Sequence, residues 1–402
     1  MKVLFFYNGS YPRGMAMTRR LQLYAKALQE SGSQVEVVVP GRRGSNNQQY
    51  EGVPYRVLAS PVVGRSYWMR QVLGAFWAVM YARTCRRWSR QGKLIFLCGF
   101  GWWSSLCMLT SLRFSGGKSI LEVNENPYAP EGGRLDPLWL RIIRRWLVLH
   151  LVFPLANGFV VISEKLETLV RRYKRSAAQI LRVPVLANCD ETFEQGADCP
   201  PDTVLTNGNP YMLHAGALSE TKDGVMAVFE AFTQVNTVVR FDFYLTSSAM
   251  APALSRRVEA LIERSGLRQR VHFTGLLSPQ ALALLRKGSA LAVVNKPMNR
   301  QNAYNFPTKL AEYLSDGIPL VVSSGGEMAR YLEHGKQALV ARPNDAADLA
   351  ACMLRILKEP ELAASLSLGG KALAKESLHY QQHSPALFAF FRRVAHPKVF
   401  VL

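Results

Sequence analysis

Two charged residues, Lys309 and Glu312, stand three apart in the stretch NFPTKLAEYLSDGIPLVV. Pro307 suits the first helical position and Gly317 the left-handed residue after a last turn, so the spacing predicts a helix of about two to three turns around them. On that helix the two side chains share one face. Its N-terminus leaves free N–H groups and a partial positive charge, the local geometry of an anion or phosphate site. The same spacing fits a solvated ion pair that contributes about 0.3 kcal/mol, and spacing alone leaves both readings open.

A second phosphate-facing position is the loop NGSYPRGMAMTRR, where Gly9 and Gly14 permit tight turns before a helix start. It is neither a GxGxxG run nor a P-loop, and a plain turn accounts for it as well. No Ser-His-Asp set and no paired carboxylates of the kind a hydrolase needs stand out. The six cysteines, Cys85, Cys98, Cys107, Cys189, Cys199 and Cys352, form no C-x-x-C pair and no cluster with histidine. Neither a metal site nor a disulfide scaffold is expected, and reduced thiols in a cytoplasmic protein are.

The elements that must position these residues alternate. Lys2 to Tyr7, Gln34 to Val39, Leu94 to Cys98, Ser119 to Val123, Gly158 to Ser163 and Gln179 to Val185 read as strands, with helical stretches between them. A polar, turn-rich segment, NCDETFEQGADCPPDTVLTNGNP, then reads as a linker. The pattern restarts with strands at Tyr211 to Ala217, Phe241 to Leu245, Val271 to Thr274, Ala290 to Val294, Ile318 to Val322 and Ala338 to Ala341. A final helix is expected over Ser384 to Val394. This is an α/β chain of two doubly wound parallel-sheet domains, and such sheets bind ligands outside the carboxyl ends of their strands. The boundaries expected are 1–188, strongly basic, for the first domain, joined by the terminal segment 380–402, and 205–379 for the second.

Charge separates the halves. Residues 1–188 hold 27 Lys and Arg against 9 Asp and Glu, a net of +18, whereas residues 189–402 carry only +2. Arg65 to Lys93 has seven basic residues and no acid around VLGAFWAVMYA, and Arg141, Arg144 and Arg145 stand beside Trp139 and Trp146. Basic helices with aromatics suit peripheral attachment to an anionic membrane surface. A solvated basic face above a buried one fits equally. Nucleic acid is not expected, because the aromatics sit inside apolar runs and no nucleic-acid motif is present. The longest apolar stretch, Trp146 to Ala156, is too short to span a bilayer, and the five-residue apolar run near Met1 is too short for a signal peptide.

The stretch from Asn305 to Val322 resembles the signature of the retaining glycosyltransferases of family 4, whose GT-B fold faces two Rossmann-like domains across a cleft. Pro307, Lys309, Glu312, Tyr313, Leu314, Gly317 and Pro319 match the variant PxKxxEYLAxGxPVV. Glu312 falls on the second Glu of the Glu-x7-Glu motif, which the resemblance implies holds the ribose of a nucleotide sugar. Tyr304 replaces the first Glu, which usually touches the donor sugar. Contacts to that sugar are therefore expected from Asn305, Thr308 and backbone N–H groups, and Phe306 is expected among the donor-binding residues.

Other stretches extend the resemblance. AGALSETKDGV is similar to GRLxxxKG, with Lys222 kept, Ser219 beside it, and Ala217 where an arginine is usual. The missing cation is expected from Lys309 or an arginine of the first domain. VHFTGLL is similar to VxFxGxV and implies a base pocket at Gly275, Leu276 and Leu277. SSGGEMARYLEHG implies that Glu327 lies near the cleft or simply caps its helix. Gly14 is matched to the loop that approaches the diphosphate, and Asn124 and Glu125 in LEVNENPY to the loop near the reacting centre.

The resemblance implies transfer of a sugar from a UDP- or GDP-type donor to a lipid-linked glycan or other cell-surface polysaccharide precursor, with no metal and no cofactor. The protein would act in the cytoplasm or peripherally on the cytoplasmic face of a membrane. Lys222, Asn124 and Glu125 are the expected catalytic residues. Two other outcomes stay open, a GT-B nucleotide-sugar 2-epimerase and a non-catalytic nucleotide-sugar-binding protein.

Overall fold

The computed structural model describes residues 1–12, 14, 16–41, 45–59, 67–127, 138–190, 206–216, 218–246 and 250–397. Ala217, Cys199, Arg65 and most of the expected linker lie outside the described residues. The chain divides into two compact units, Met1–Pro184 with Tyr380–Leu402, and Val185–His379.

The first unit runs β1 (Lys2–Tyr7), α1 (Ala16–Glu30), β2 (Gln34–Gly41), β3 (Ser45–Tyr50), β4 (Val53–Ala59), α2 (Tyr67–Arg90), β5 (Leu94–Cys98), α3 (Trp102–Phe114), β6 (Ser119–Val123), α4 (Leu138–Leu147), β7 (Gly158–Val161), α5 (Glu164–Tyr173) and β8 (Gln179–Arg182). Its eight strands lie in the order β3-β4-β2-β1-β5-β6-β7-β8. All neighbours are parallel except β3 and β4. The apolar run of β1 is buried on both faces, as a central parallel strand requires. Phe5 pairs with Val37 on one side and Phe96 on the other. The chain steps one way from β1 to β2 and the other way from β4 through β8. Right-handed crossovers therefore put α1 on one side of the sheet and α2, α3, α4 and α5 on the other.

The second unit runs β9 (Tyr211–His214), α6 (Glu220–Asp223), α7 (Val225–Asn236), β10 (Asp242–Leu245), α8 (Pro252–Arg264), β11 (Val271–Phe273), α9 (Pro279–Lys287), β12 (Leu291–Val294), α10 (Thr308–Asp316), β13 (Leu320–Ser323), β14 (Leu339–Ala341), α11 (Ala346–Lys358) and α12 (Pro360–Leu373). Its six parallel strands are ordered β11-β10-β9-β12-β13-β14. The order reverses between β9 and β12, which opens a crevice at their carboxyl ends. The core below is aromatic, with Phe229 and Phe243 at 5.0 Å and Phe232 and Phe243 at 5.5 Å.

The last helix, α13 (Tyr380–Ala395), starts four residues earlier than Ser384 and packs with α1 on the first unit. Phe391 lies 5.4 Å from Phe96 and 6.3 Å from Phe5. Among the described residues no helix is long and apolar enough to cross a membrane.

Candidate active site

Helix α10 carries the charged pair, and its frame follows from its ends. Pro307 is the N-cap, with ψ 123°, so the helix begins at Thr308, one residue later than expected. Gly317 closes it with φ 72°, and the N–H of Ile318 reaches back to the Tyr313 carbonyl at 3.0 Å. The buried face of Leu310, Ala311, Tyr313 and Leu314 holds the helix to the sheet. From there the Tyr313 hydroxyl accepts the Ala215 N–H at 3.2 Å, which ties α10 to the loop after β9.

Lys309 and Glu312 do not pair with each other. Lys309 Nζ lies 3.2 Å from Nε2 of His214, the last residue of β9. The stem crosses the backbone of Gly216, where an added Cβ would fall 2.9 Å from Lys309 Cε. Gly216 has φ +103°, the left-handed region that favours glycine, and its bare Cα leaves the room that the end of the Lys309 side chain occupies. Lys309 thus brings its ammonium to the residue preceding Ala217, where the expected arginine is absent.

Around that ammonium the charges are balanced. Asp223 at the end of α6 accepts from Lys296 Nζ at 2.8 Å, and Lys296 follows β12 on the other side of the crevice. Burial raises the Asp223 carboxyl, and the ammonium groups of Lys296 and Lys309, with the nearby His214 ring, outweigh it and hold it below its ordinary value. Burial also lowers Lys309; Asp223 and Glu312 oppose that effect and Lys296 adds to it, leaving a pKa of about 8. A buried lysine whose pKa is lowered beside charged partners in a crevice marks a candidate functional site.

Glu312 turns to another partner. Arg286 on α9 donates to Glu312 Oε2 at 3.0 Å and also pairs with Asp316. Glu312 is about one-third exposed, so its carboxylate is oriented by Arg286 and open to a ligand.

The loop between β12 and α10 fixes α6. Asn295 Nδ2 donates to the Gly224 carbonyl at 3.1 Å, and Asn302 Nδ2 donates to the Lys222 carbonyl at 3.2 Å and the Pro297 carbonyl at 2.9 Å. Ser219 caps α6, its Oγ accepting the Lys222 N–H at 3.2 Å. Tyr304 ends the 3-10 turn Asn302–Tyr304. The Asn305 N–H is used by the Asn302 carbonyl at 3.1 Å, so Asn305 offers its side chain and not its N–H. Phe306 is buried against Tyr331, with ring centroids 5.0 Å apart, and its ring faces the core. Thr308 opens the helix, where no intrahelical acceptor exists for its N–H.

After β11, Gly275 has φ +73°; Leu276 is 84% exposed and Leu277 packs against the cluster of Tyr211 and Leu213. Glu327 lies buried in the 3-10 turn Gly326–Arg330, 3.9 Å from Arg330 Nε.

In the first unit, Asn8, Gly14, Asn124 and Glu125 follow the carboxyl ends of β1 and β6. Asn8 Nδ2 donates to the Gly99 carbonyl at 3.3 Å, and Thr18 Oγ1 donates to the Ser10 carbonyl at 2.8 Å, closing the loop that contains Gly14. Asn124 Nδ2 contacts Met17 Sδ at 3.1 Å. Under them Arg20 pairs with buried Glu122 at 2.9 Å and donates to the Val183 carbonyl at 2.8 Å. Among the described residues no group of His, Cys, Asp and Glu is placed to hold a metal ion.

His214, Asp223, Lys296 and Arg286 had no signal in the sequence. Sheet order brings in His214, Asp223 and Arg286 from elements distant from α10 along the chain, and Lys296 from the loop that leads into it.

Comparison with known proteins gives the same architecture. Residues 16–185 match the family model of the glycosyl transferase 4-like domain, and residues 209–359 that of glycosyl transferases group 1. No curated protein matched in sequence. Among solved structures, sucrose-phosphate synthase from Thermosynechococcus elongatus is similar with a TM-score of 0.73 at 17% identity, over 98% of this chain and 99% of that one. Anabaena HepE in complex with UDP-glucose gives 0.67 at 15% identity, over 99% of both chains. WaaG, a glycosyltransferase involved in lipopolysaccharide biosynthesis, gives 0.64 at 12% identity, over 99% of this chain and 100% of that one. At such identities the likeness establishes the fold, and the two domain matches carry the rest: the chain is a glycosyltransferase of the GT-B type, with a 4-like domain followed by a group 1 domain.

Proposed function

We propose that this protein is a retaining glycosyltransferase that moves a sugar from a UDP- or GDP-type donor to a membrane-associated acceptor, a lipid-linked glycan or another cell-surface polysaccharide precursor, from the cytoplasmic face. The observation that carries the reading is the Lys309 ammonium set against Gly216 at the switch point of the second sheet. A nucleoside diphosphate leaving group gains negative charge as the glycosidic bond breaks, and preorganised cations there lower the barrier. Lys309 and Lys222, with the first N–H groups of α10, supply that field, and Lys309 replaces the arginine missing at Ala217. Glu312, oriented by Arg286, accepts the ribose hydroxyls. UDP-glucose in the HepE complex supports a donor of this class.

In this reading residues 205–379 hold the donor, and residues 1–188 with the final helix receive the acceptor, with Asn124 and Glu125 as its polar groups. The bond between the anomeric carbon and the diphosphate oxygen breaks, and the acceptor oxygen bonds to that carbon on the same face. The acceptor proton passes to the departing diphosphate, so no protein nucleophile is required. The test is incubation with UDP-, GDP-, CMP- and dTDP-sugars, with and without a lipid-linked acceptor. Nucleotide release and product configuration are read by NMR. Acceptor-dependent release with a retained anomeric centre is expected. Turnover of donor alone to a 2-epimer, or no turnover of any donor, would overturn the reading.

A further inference from the structure

The first unit exposes side chains that a folded domain normally covers. Among the described residues fifteen large hydrophobic side chains are exposed, and ten of them lie between Phe76 and Leu151. That concentration exceeds the scattered apolar exposure of an ordinary surface. The ten belong to α2, α3, α4 and the π-helical turn Val148–Val152 that continues α4, all in the layer on one side of the sheet. Within it α2 packs on α3, and α3 on the π-helical turn.

Helix α2 is divided along its length. Phe76, 56% exposed, is followed on the same face by Val79 and Met80, then by Arg83, Arg86, Arg87 and Arg90. The opposite face, Ala78, Tyr81, Ala82, Cys85 and Trp88, is buried. The four arginines line one open depression, and none pairs with a carboxylate among the described residues. Helix α4 shows an apolar stripe at helical spacing, Trp139, Ile142, Ile143 and Trp146, with the two tryptophans 61% and 52% exposed. On α3, Phe114 is 85% exposed.

An occupant must cover apolar stripes and unpaired cations together. A second copy would press like charge on like charge, given the +18 of residues 1–188. Nucleic acid would meet the arginines and leave Ile142, Ile143 and Val79 uncovered. A bilayer with anionic headgroups meets both, taking cations at its phosphates and tryptophans at the headgroup boundary.

We propose that the layer of α2, α3 and α4 is a docking face for an anionic lipid bilayer, with Arg83, Arg86, Arg87 and Arg90 at the headgroups and the Trp139 to Trp146 stripe at the acyl boundary. It gives the membrane association in the proposed function its surface, and it stands apart from the donor chemistry.

The experiment is sedimentation of the full chain with phosphatidylcholine vesicles, with and without phosphatidylglycerol, at low and high salt. Binding to the anionic vesicles alone is expected, weakening with salt and accompanied by a blue shift of tryptophan fluorescence. The double variants Arg86→Glu with Arg87→Glu, and Trp139→Ser with Trp146→Ser, should each bind about tenfold or more weakly. These side chains are exposed, so thermal unfolding and nucleotide-sugar binding should match the parent. Absence of binding to anionic vesicles would overturn the proposal, as would undiminished binding by both variants. A dimer that the tryptophan variant dissociates, with no vesicle binding, would overturn it in favour of a second copy. Vesicle binding without nucleotide-sugar binding would sink the transferase reading alone.

Discussion

Lys309 is the residue on which the chemistry turns. Its folded pKa of about 8 reflects burial first, then the opposing carboxylates of Asp223 and Glu312 and the neighbouring Lys296, with His214 facing it from β9. An unfolded lysine titrates near about 10.4. Between about pH 8 and 10.4 the unfolded chain therefore binds more protons at this group, and stability rises with pH across that window. Donor capture has the opposite sign, because a diphosphate needs the ammonium. The donor kcat/KM should fall as pH rises through about 8, and Lys309→Met should remove that limb while raising the thermal midpoint of the free protein. A profile flat to pH 9.5 (about 1.5 units above that value) in the parent would contradict this. The pair itself was legible because Lys309 and Glu312 sit between a proline and a glycine that punctuate a helix. Their partners were not, since His214 lies 95 residues and Arg286 26 residues away in the chain.

At the level of elements, α10 shows why local punctuation reads well. Gly317 holds φ 72°, and a Cβ there would meet Ser367 Oγ at 2.8 Å. Gly317→Ala should cost about 1–2 kcal/mol in a urea melt, with donor affinity changed less than stability. A loss below about 0.3 kcal/mol would show that the turn relaxes freely. Strand β3, which pairs with β4, has no local signal, because SNNQQY lacks the apolar alternation that marks a strand. Phe306 stands among the expected donor-binding residues, and its ring packs against Tyr331 in the core. Pro307 is the N-cap and not the first helical residue, because its ψ of 123° is extended.

For the whole molecule, strand and helix alternation gave two parallel-sheet domains, whereas strand order, which creates the crevice between β9 and β12, is a long-range property with no local signal. The return of α13 to the first unit is a similar case. Phe391 is buried against Phe5 and Phe96, so Phe391→Ala should destabilise that unit by about 3–5 kcal/mol. Unfolding of this variant followed by tryptophan fluorescence should show the loss, as the tryptophans all lie in the first unit. The most direct test of the donor site is calorimetric titration of UDP- and GDP-sugars into the parent, Lys309→Met and Glu312→Ala. The account predicts binding by the parent to at least one donor and about tenfold or weaker binding by each variant. No binding by the parent, or equal affinity in all three proteins, would contradict it.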